Sequence, residues 1–407
     1  DVYKRQTERG IYASLDGGKN WSKVPGAPTI PFRDLVIQKR ENDLVGASFG
    51  RGFFVLDDYS ALREVNAETK QKEGHLFPTR KAHWYVPKNV IGNTGSDYYF
   101  AENPEFGAWF TYHLSREYPT MKKTRKEAEK ALEKQNKDIP FPGWDALEAE
   151  KREEAVKIWI TIKDQQGNVI RKVKGKAKKG INRVAWDLRH PSIRAIRPGR
   201  TQGGGGWRSS GPPAMPGTYT APLMKEKNGE VTTLDGPISF EVVPLREGTL
   251  KGVSYDEYKQ YISQVEDIQK RSTVVSDALN QSMNKVKAMQ VALSRTDVEP
   301  GSLDKRLHDL KQQLLAFEGK LNGNSAKEEI GERNPPSVGS HLRVAMRGMS
   351  TTYGPTPLHK QSMGVANTML NGMVGEIKTI STETIPALEQ ELKRLGAPYI
   401  IGQGMED

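Results

Sequence analysis

From residue 7 to about 90, short apolar runs alternate with Gly, Pro, Asn and Asp: Gly10 to Ala13, Leu35-Val36-Ile37, Asp43 to Ser48 and Gly52 to Leu56. Runs this short, bounded by turn formers, predict β-strands rather than helices. They amount to one or two blades' worth of four-stranded sheet.

A second strand-rich pattern occupies residues 100–246. Phe106 to Leu114 reads as a strand, and Val156 to Ile162 alternates strictly before the turn Asp164-Gln165-Gln166-Gly167-Asn168. Val169 to Val173, Gly180 to Asp187, Pro216 to Ala221 and Ile238 to Val243 complete the set, which predicts a β-sandwich. Two insertions interrupt it. Residues of about 120–155 are rich in Lys, Glu and Ala, a charged helical excursion whose apparent anchors are Phe141 and Trp144. Residues of about 197–216 hold Gly203 to Gly206 and Trp207, with no Gly-Lys-Ser/Thr ending and no helix to follow, so a surface loop is expected rather than a phosphate cradle.

From Ser254 the period turns helical. Tyr258, Ile262, Val265, Ile268, Val275, Leu279, Val286, Met289 and Leu293 step mostly by three, four or seven, and Ser254 with Glu257 reads as a capping box. Leu303, Leu307, Leu310, Leu314 and Phe317 mark a second helix. After breaks at Pro335-Pro336 and Gly354 to Pro357, Met369, Met373, Ile377, Ile380, Leu388, Leu392 and Leu395 mark a third that ends at Gly396. An antiparallel helical bundle over 254–396 is the expectation, with 397–407 as a tail.

Composition narrows the chemistry. The 407 residues are 36% hydrophobic and 27% charged, which is ordinary for globular material, and no run approaches a membrane span. There is no cysteine, so thiolate catalysis, disulfides and Cys-ligated metal are excluded. The net charge of +11 is spread along the chain rather than gathered on one aromatic-bearing face, which argues against a nucleic-acid partner. Asp1 to Gln6 does not continue the strand pattern and reads as a scar, ahead of what looks like the middle of a blade in a longer protein.

One motif identifies an architecture. Ser14-Leu15-Asp16-Gly17-Gly18-Lys19-Asn20-Trp21 is a hairpin in which glycines take positive φ, Asp16 accepts backbone N–H groups and Trp21 packs on the turn. The pattern of Ser14, Asp16, Gly18 and Trp21 resembles the Asp-box (BNR repeat) of sialidase-like and sortilin-like β-propellers. Gly180, Asn182, Trp186 and Asp187, with Pro216, Gly217 and Tyr219, resemble the Ig-like domain of flagellar hook-cap proteins. In this order the chain resembles the C-terminal part of bacterial sortilin-like propeller proteins labelled glycosyl hydrolase-like. The resemblance implies terminal propeller blades over 7–95, an Ig-like sandwich over 100–246 and a helical bundle, with the upstream blades supplied by the rest of the same protein. It further implies a periplasmic or extracellular setting and recognition of a peptide or glycan, the alternative being a sialidase-like glycoside hydrolase.

No catalytic residue can be placed by that resemblance, because the sialidase arginine triad has no residue-by-residue match. The acid candidates are Asp57 and Asp58 at a strand end, where the same dipeptide also suits strand termination. Asp187 reads as a strand-end carboxylate. A glycosidase requires two suitably spaced carboxylates, and none of these acids has such a partner in the reading of the sequence. The histidines His75, His83, His113, His190, His308, His341 and His359 show no metal-ligand spacing, so no metal or cofactor is expected. Trp84, Tyr85, Tyr98, Tyr99 and Phe100 fit packing at a domain junction, and Lys172, Lys174, Lys176, Lys178 and Lys179 fit a solvated edge. Met346, Met349, Met363, Met369 and Met373 fit an adaptable core.

Overall fold

A computed structural model describes residues 3–87, 101–193, 195–196, 210–246, 248–249, 251–297 and 299–402. The protein is of mixed β and α type and divides into two compact units, residues 1–190 with 214–246, and residues 191–213 with 247–407.

The first unit begins with two three-stranded antiparallel sheets. One is β1 (Tyr3–Thr7), β2 (Gly10–Ser14) and β3 (Ser22–Lys23); the other is β4 (Phe32–Gln38), β5 (Asp43–Ser48) and β6 (Phe53–Leu56). The strand β1 takes in most of the stretch read as a scar. It pairs with β2 from Tyr3↔Ser14 to Thr7↔Gly10, because backbone pairing on a sheet edge needs no apolar side chains. The sheets share a core of Ile11, Phe32, Leu44 and Tyr59, with Leu35, Ile37, Phe54 and Leu56 packed against it. Gly46 keeps them close: a Cβ there would meet the Ile11 side chain of β2, in the other sheet, at 3.1 Å.

The register places Val36, Val45 and Val55 in one cross-strand row on the opposite face of β4–β6. Phe53 lies on that same face, two positions from Val55. This face is open, with Val36 and Val55 each 55% exposed and Phe53 78%.

A 3-10 turn (Ser60–Arg63) and α1 (Ala67–Gln71), capped reciprocally by Asn66 and Thr69, lead into β7 (Gly74–Leu76) and β8 (Ala82–Trp84). These two strands fall inside the span 7–95 read as blade, yet they complete the larger sheets that follow. The other strands are β9 (Ala108–Leu114), β10 (Lys157–Lys163), β11 (Val169–Gly175), β12 (Gly180–Trp186), β13 (Gly217–Lys227) and β14 (Glu230–Pro244). Their orders are β11-β10-β13-β14-β8, parallel only at β14–β8, and β12-β9-β7. The two sheets share one core. Phe110, Tyr112 and Leu114 of β9 are fully buried, as are Ile158, Ile160 and Ile162 of β10, and Trp186 meets Tyr219 edge to face at 5.2 Å. Phe110 meets Phe240 at 5.2 Å, joining β9 to β14.

The charged insertion forms α2 (Met121–Lys134) and α3 (Trp144–Arg152). Neither helix buries a residue, and the expected anchors do not anchor it: Phe141 is 62% and Trp144 78% exposed, packed on each other at 5.1 Å. A sequence with no apolar stripe cannot dock on a core. The hairpin is held instead by Arg125, which bonds both oxygens of Glu150 at 2.6 and 2.9 Å. The glycine run at 203–206 lies outside the described residues.

The second unit is helical: α4 (Tyr255–Leu293), α5 (Leu303–Asn322), α6 (Ser325–Glu329), α7 (Val338–Arg347), α8 (Pro357–Thr379) and α9 (Ile385–Arg394). Ser254 caps α4 by accepting from the Glu257 N–H at 3.2 Å. A π-helical turn, Ile380–Thr384, joins α8 to α9 and makes room for Pro386, whose ring would clash in a regular α-helix. Glu257 pairs with Lys360, Arg271 with Asn367 and Asn371, and Lys285 with Glu389. The numbers climb together, so α4 and α8–α9 run parallel. Arg306 with Glu391 and Gln313 with Glu376 show α5 running against α8–α9. The short α7 returns the chain, so not every long helix is antiparallel to its neighbours. Met349 and Met373 are buried in this core, and Met346, Met363 and Met369 partly so.

Candidate functional site

The turn from Ser14 to Trp21 uses its side chains on itself. Ser14 Oγ donates to Asp16 Oδ1 at 2.7 Å and accepts from the Gly18 N–H at 2.8 Å. Asp16 Oδ1 also accepts from the Asn20 N–H at 2.9 Å, Oδ2 accepts from Asn20 Nδ2 at 2.7 Å, and Trp21 Nε1 donates to the Gly18 carbonyl at 3.0 Å. These bonds, the Asn20 backbone N–H first, hold the Asp16 carboxyl at about 2. Both oxygens are engaged, so Asp16 fixes a loop rather than waiting for a substrate.

Asp57 and Asp58 follow β6 and have different environments. Asp58 sits in the left-handed region (φ 43°), is 7% exposed, and accepts from Ser60 N and Oγ at 3.2 and 2.6 Å. Its own N–H donates to Asp43 Oδ1 at 2.9 Å, and the Tyr59 N–H donates to the Asn42 carbonyl at 2.9 Å, which pins this loop to the β4–β5 turn. Asp58 is therefore a structural carboxylate.

Asp57 is half-buried, and its carboxyl is pushed above the usual range by burial and by the neighbouring Asp43, with Arg183 and Arg80 opposing. The sequence left the acids unpaired; the fold supplies Asp43 as a second carboxylate near Asp57. Residue spacing gave no sign of it, because Asp43 opens a different strand.

The loop is clamped from β12. Arg183 donates through Nη1 to the Asp57 carbonyl at 2.8 Å, through Nη2 to the Asp58 carbonyl at 2.6 Å and through Nε to Thr111 Oγ1 at 3.2 Å. Its guanidinium lies 4.9 Å from the Trp109 ring, and Arg80 stands 5.8 Å from the same ring while bonding Glu41 through its carbonyl and Oε2 at 3.0 and 2.9 Å. Burial pulls the proton affinity of Arg183 down, and the charges of Asp58 and Asp57 pull it back up. Trp109, Thr111 and Arg183 belong to the outward face of β9 and β12, whose inward residues build the core. The cluster can hold one carboxyl with raised proton affinity beside a carboxylate and two guanidinium groups.

The other candidates are dispersed. Asp187 directly follows β12, as a strand-end residue. Trp84 is buried and Tyr85 packs on Phe106 at 4.8 Å; Tyr98, Tyr99 and Phe100 lie outside the described residues. The five lysines from Lys172 to Lys179 are exposed on and after β11, an edge strand. Among the described residues, no three His, Asp or Glu side chains converge to hold a metal ion, and no helix is long and apolar enough to cross a membrane. A crevice between β2 and β5–β6 is lined mainly by apolar side chains, among them Ile11, Val24, Ile37, Leu44, Leu56 and Leu62, together with Tyr12 and Tyr59, and the Tyr59 hydroxyl already accepts from Arg63 Nη2 at 2.6 Å. No family model, no curated protein and no solved structure matches the chain.

Proposed function

We propose that this chain is part of an exported bacterial interaction protein, in which β1–β6 are blades of a larger Asp-box β-propeller that recognises a peptide or glycan. In this reading β7–β14 form an Ig-like sandwich and the helices a bundle. The observation that carries it is the sheet β4–β5–β6, which is apolar on both faces and covered on one. Strands that read as continuous apolar runs, such as Phe53-Phe54-Val55-Leu56, belong in sheets flanked on both sides. A further sheet packed face to face, about 10 Å away, is the cover that suits a row of Val36, Val45 and Val55. Further blades of the same protein would supply it, and their loops would hold the ligand site. The Ser14–Trp21 turn supports the same reading as a rigid blade hairpin with no free chemistry.

The test is to isolate the protein from its native host and screen it against peptide and glycan arrays and a panel of glycosides. Saturable binding without turnover is the expected result; turnover would overturn it. One observation favours a second reading, a sialidase-like glycosidase: the raised proton affinity of Asp57 beside Asp43 suits a general acid. That reading requires turnover that Asp57→Asn abolishes while the protein stays folded.

A further inference from the structure

Neither the blade strands nor the Asp57 cluster gives the α2–α3 hairpin a role. Its large apolar side chains are gathered at one end, in the connection Ile139-Pro140-Phe141-Pro142-Gly143-Trp144. Ile139, Phe141 and Trp144 are all exposed, and the two rings pack on each other rather than on a core. The prolines fix their own φ, and Gly143 turns the chain into α3 at φ 89°. This tip is shaped before any partner arrives, so little conformational freedom is left to lose on docking. Exposed apolar groups gathered at one place mark an interaction site.

The charges of the hairpin do not balance once its ion pairs are drawn. Its glutamates other than Glu133 are engaged by Lys123, Arg125, Arg152, Lys157 or the Met121 N–H. Lys122, Lys126, Lys130, Lys134, Lys137 and Lys151 make no ion pair among the described residues, against the acids Glu133, Asp138 and Asp145. Asp145 lies in the first turn of α3, where the helix dipole favours a carboxylate. Lys122, Lys126, Lys130 and Lys134 step by four, which sets them along one face of α2, all exposed. Like charges at that spacing repel, and Glu150 offsets this only beside Lys122 and Lys126. The uncompensated end of the lysine face is the end that leads into the tip.

A partner for this end must accept apolar side chains at one place and neutralise cations beside it. An anionic lipid surface does both, because aromatic rings settle at headgroup level while lysine stems reach the phosphates. Nucleic acid fits less well: the rings follow the basic face instead of interleaving with it as a stacking platform for bases.

We propose that the α2–α3 hairpin is a peripheral membrane anchor: Ile139, Phe141 and Trp144 enter the headgroup layer of an anionic bilayer, and Lys130, Lys134 and Lys137 meet its phosphates. The contact lies in the interface and needs no spanning helix.

Co-sedimentation of the whole chain with vesicles of phosphatidylcholine, alone or with about 30% phosphatidylserine, tests this at about 0.1 M salt. The anionic vesicles should bind more tightly by about tenfold or more, and Phe141→Ser with Trp144→Ser should lose about tenfold or more of that affinity. Lys130→Gln, Lys134→Gln and Lys137→Gln together should lose about fivefold for each charge removed. The same change at Lys174, Lys176 and Lys178, on and after β11, removes as much charge and should alter binding less than about twofold. All of these side chains are exposed, and far-ultraviolet circular dichroism checks that the variants stay folded. No preference for the anionic vesicles, or equal losses from the two lysine triplets, would overturn the anchor. So would binding that the lysine substitutions abolish and the aromatic ones leave intact, which is the behaviour of a general polyanion site.

Discussion

Arg183→Met isolates the clamp between the small sheets and the larger ones. Methionine keeps most of the apolar stem that lies along Trp109 but removes the guanidinium, so the Asp57 and Asp58 carbonyls lose donors at 2.8 and 2.6 Å and Thr111 Oγ1 loses one at 3.2 Å. Bonds from a charged donor are worth about 1.5–3 kcal/mol each, but they are not additive and water reaches a half-buried site, so the expected loss is about 3 kcal/mol. Arg183→Lys keeps a charge that can reach one carbonyl but not the fork, and should lose about half as much. Tryptophan fluorescence during urea unfolding reads this directly, because no tryptophan lies beyond Trp207 and the helices from Tyr255 onward are silent. With a slope of about 2 kcal/mol per molar urea, Arg183→Met should lower the midpoint by about 1.5 M and Arg183→Lys by about 0.7 M. A shift below about 0.3 M for the methionine variant, or equal shifts for both, would refute the clamp.

Three further outcomes follow from the same contacts. Asp57→Asn should stabilise the protein at pH 7 and match it below about pH 4: the folded Asp57 holds its proton more tightly than the unfolded one, so its ionisation costs stability as pH rises through the raised value, which thermal melts across pH 3.5–7 would detect. Asp16→Ala should lower the melting temperature of the strand-rich unit at pH 7, and the gap should begin to close as pH falls below the ordinary aspartate value of 3.8 toward about 2, because a depressed carboxyl contributes stability only while ionised. Trp186→Phe should cost about 2–3 kcal/mol in urea unfolding: Trp186 is fully buried, and the smaller ring removes the bond from Nε1 to the Arg189 carbonyl at 2.9 Å and opens a gap beside Tyr219.

Periodicity was a good guide wherever one face of an element is buried. The alternation of Ile158, Ile160 and Ile162 marked β10, and the steps from Tyr258 to Leu293 marked α4 almost to its ends, because burial imposes those spacings directly. The Asp16 turn was legible because all of its bonds are local. Features that depend on pairing between distant segments were not. Lys4-Arg5-Gln6 carries no apolar signal, yet it forms an edge strand. β7 and β8 are three residues each and join sheets whose other strands come later in the chain. Arg183 reaches across 126 residues to Asp57, and His75 meets His113 only through the β7–β9 register. Phe141 and Trp144 misled for the converse reason: large aromatics signal burial only where a core lies within reach.

The central claim is that a further sheet covers the open face of β4–β5–β6. The chain has no cysteine, so Val55→Cys gives a single thiol on that face, and its rate of maleimide labelling reports exposure. The account predicts fast labelling in the 407-residue chain and at least tenfold slower labelling when the same substitution is carried by the protein made in its native host. Equally fast labelling in both would mean that the face of Val36, Val45, Val55 and Phe53 stays open to water, and would contradict the account.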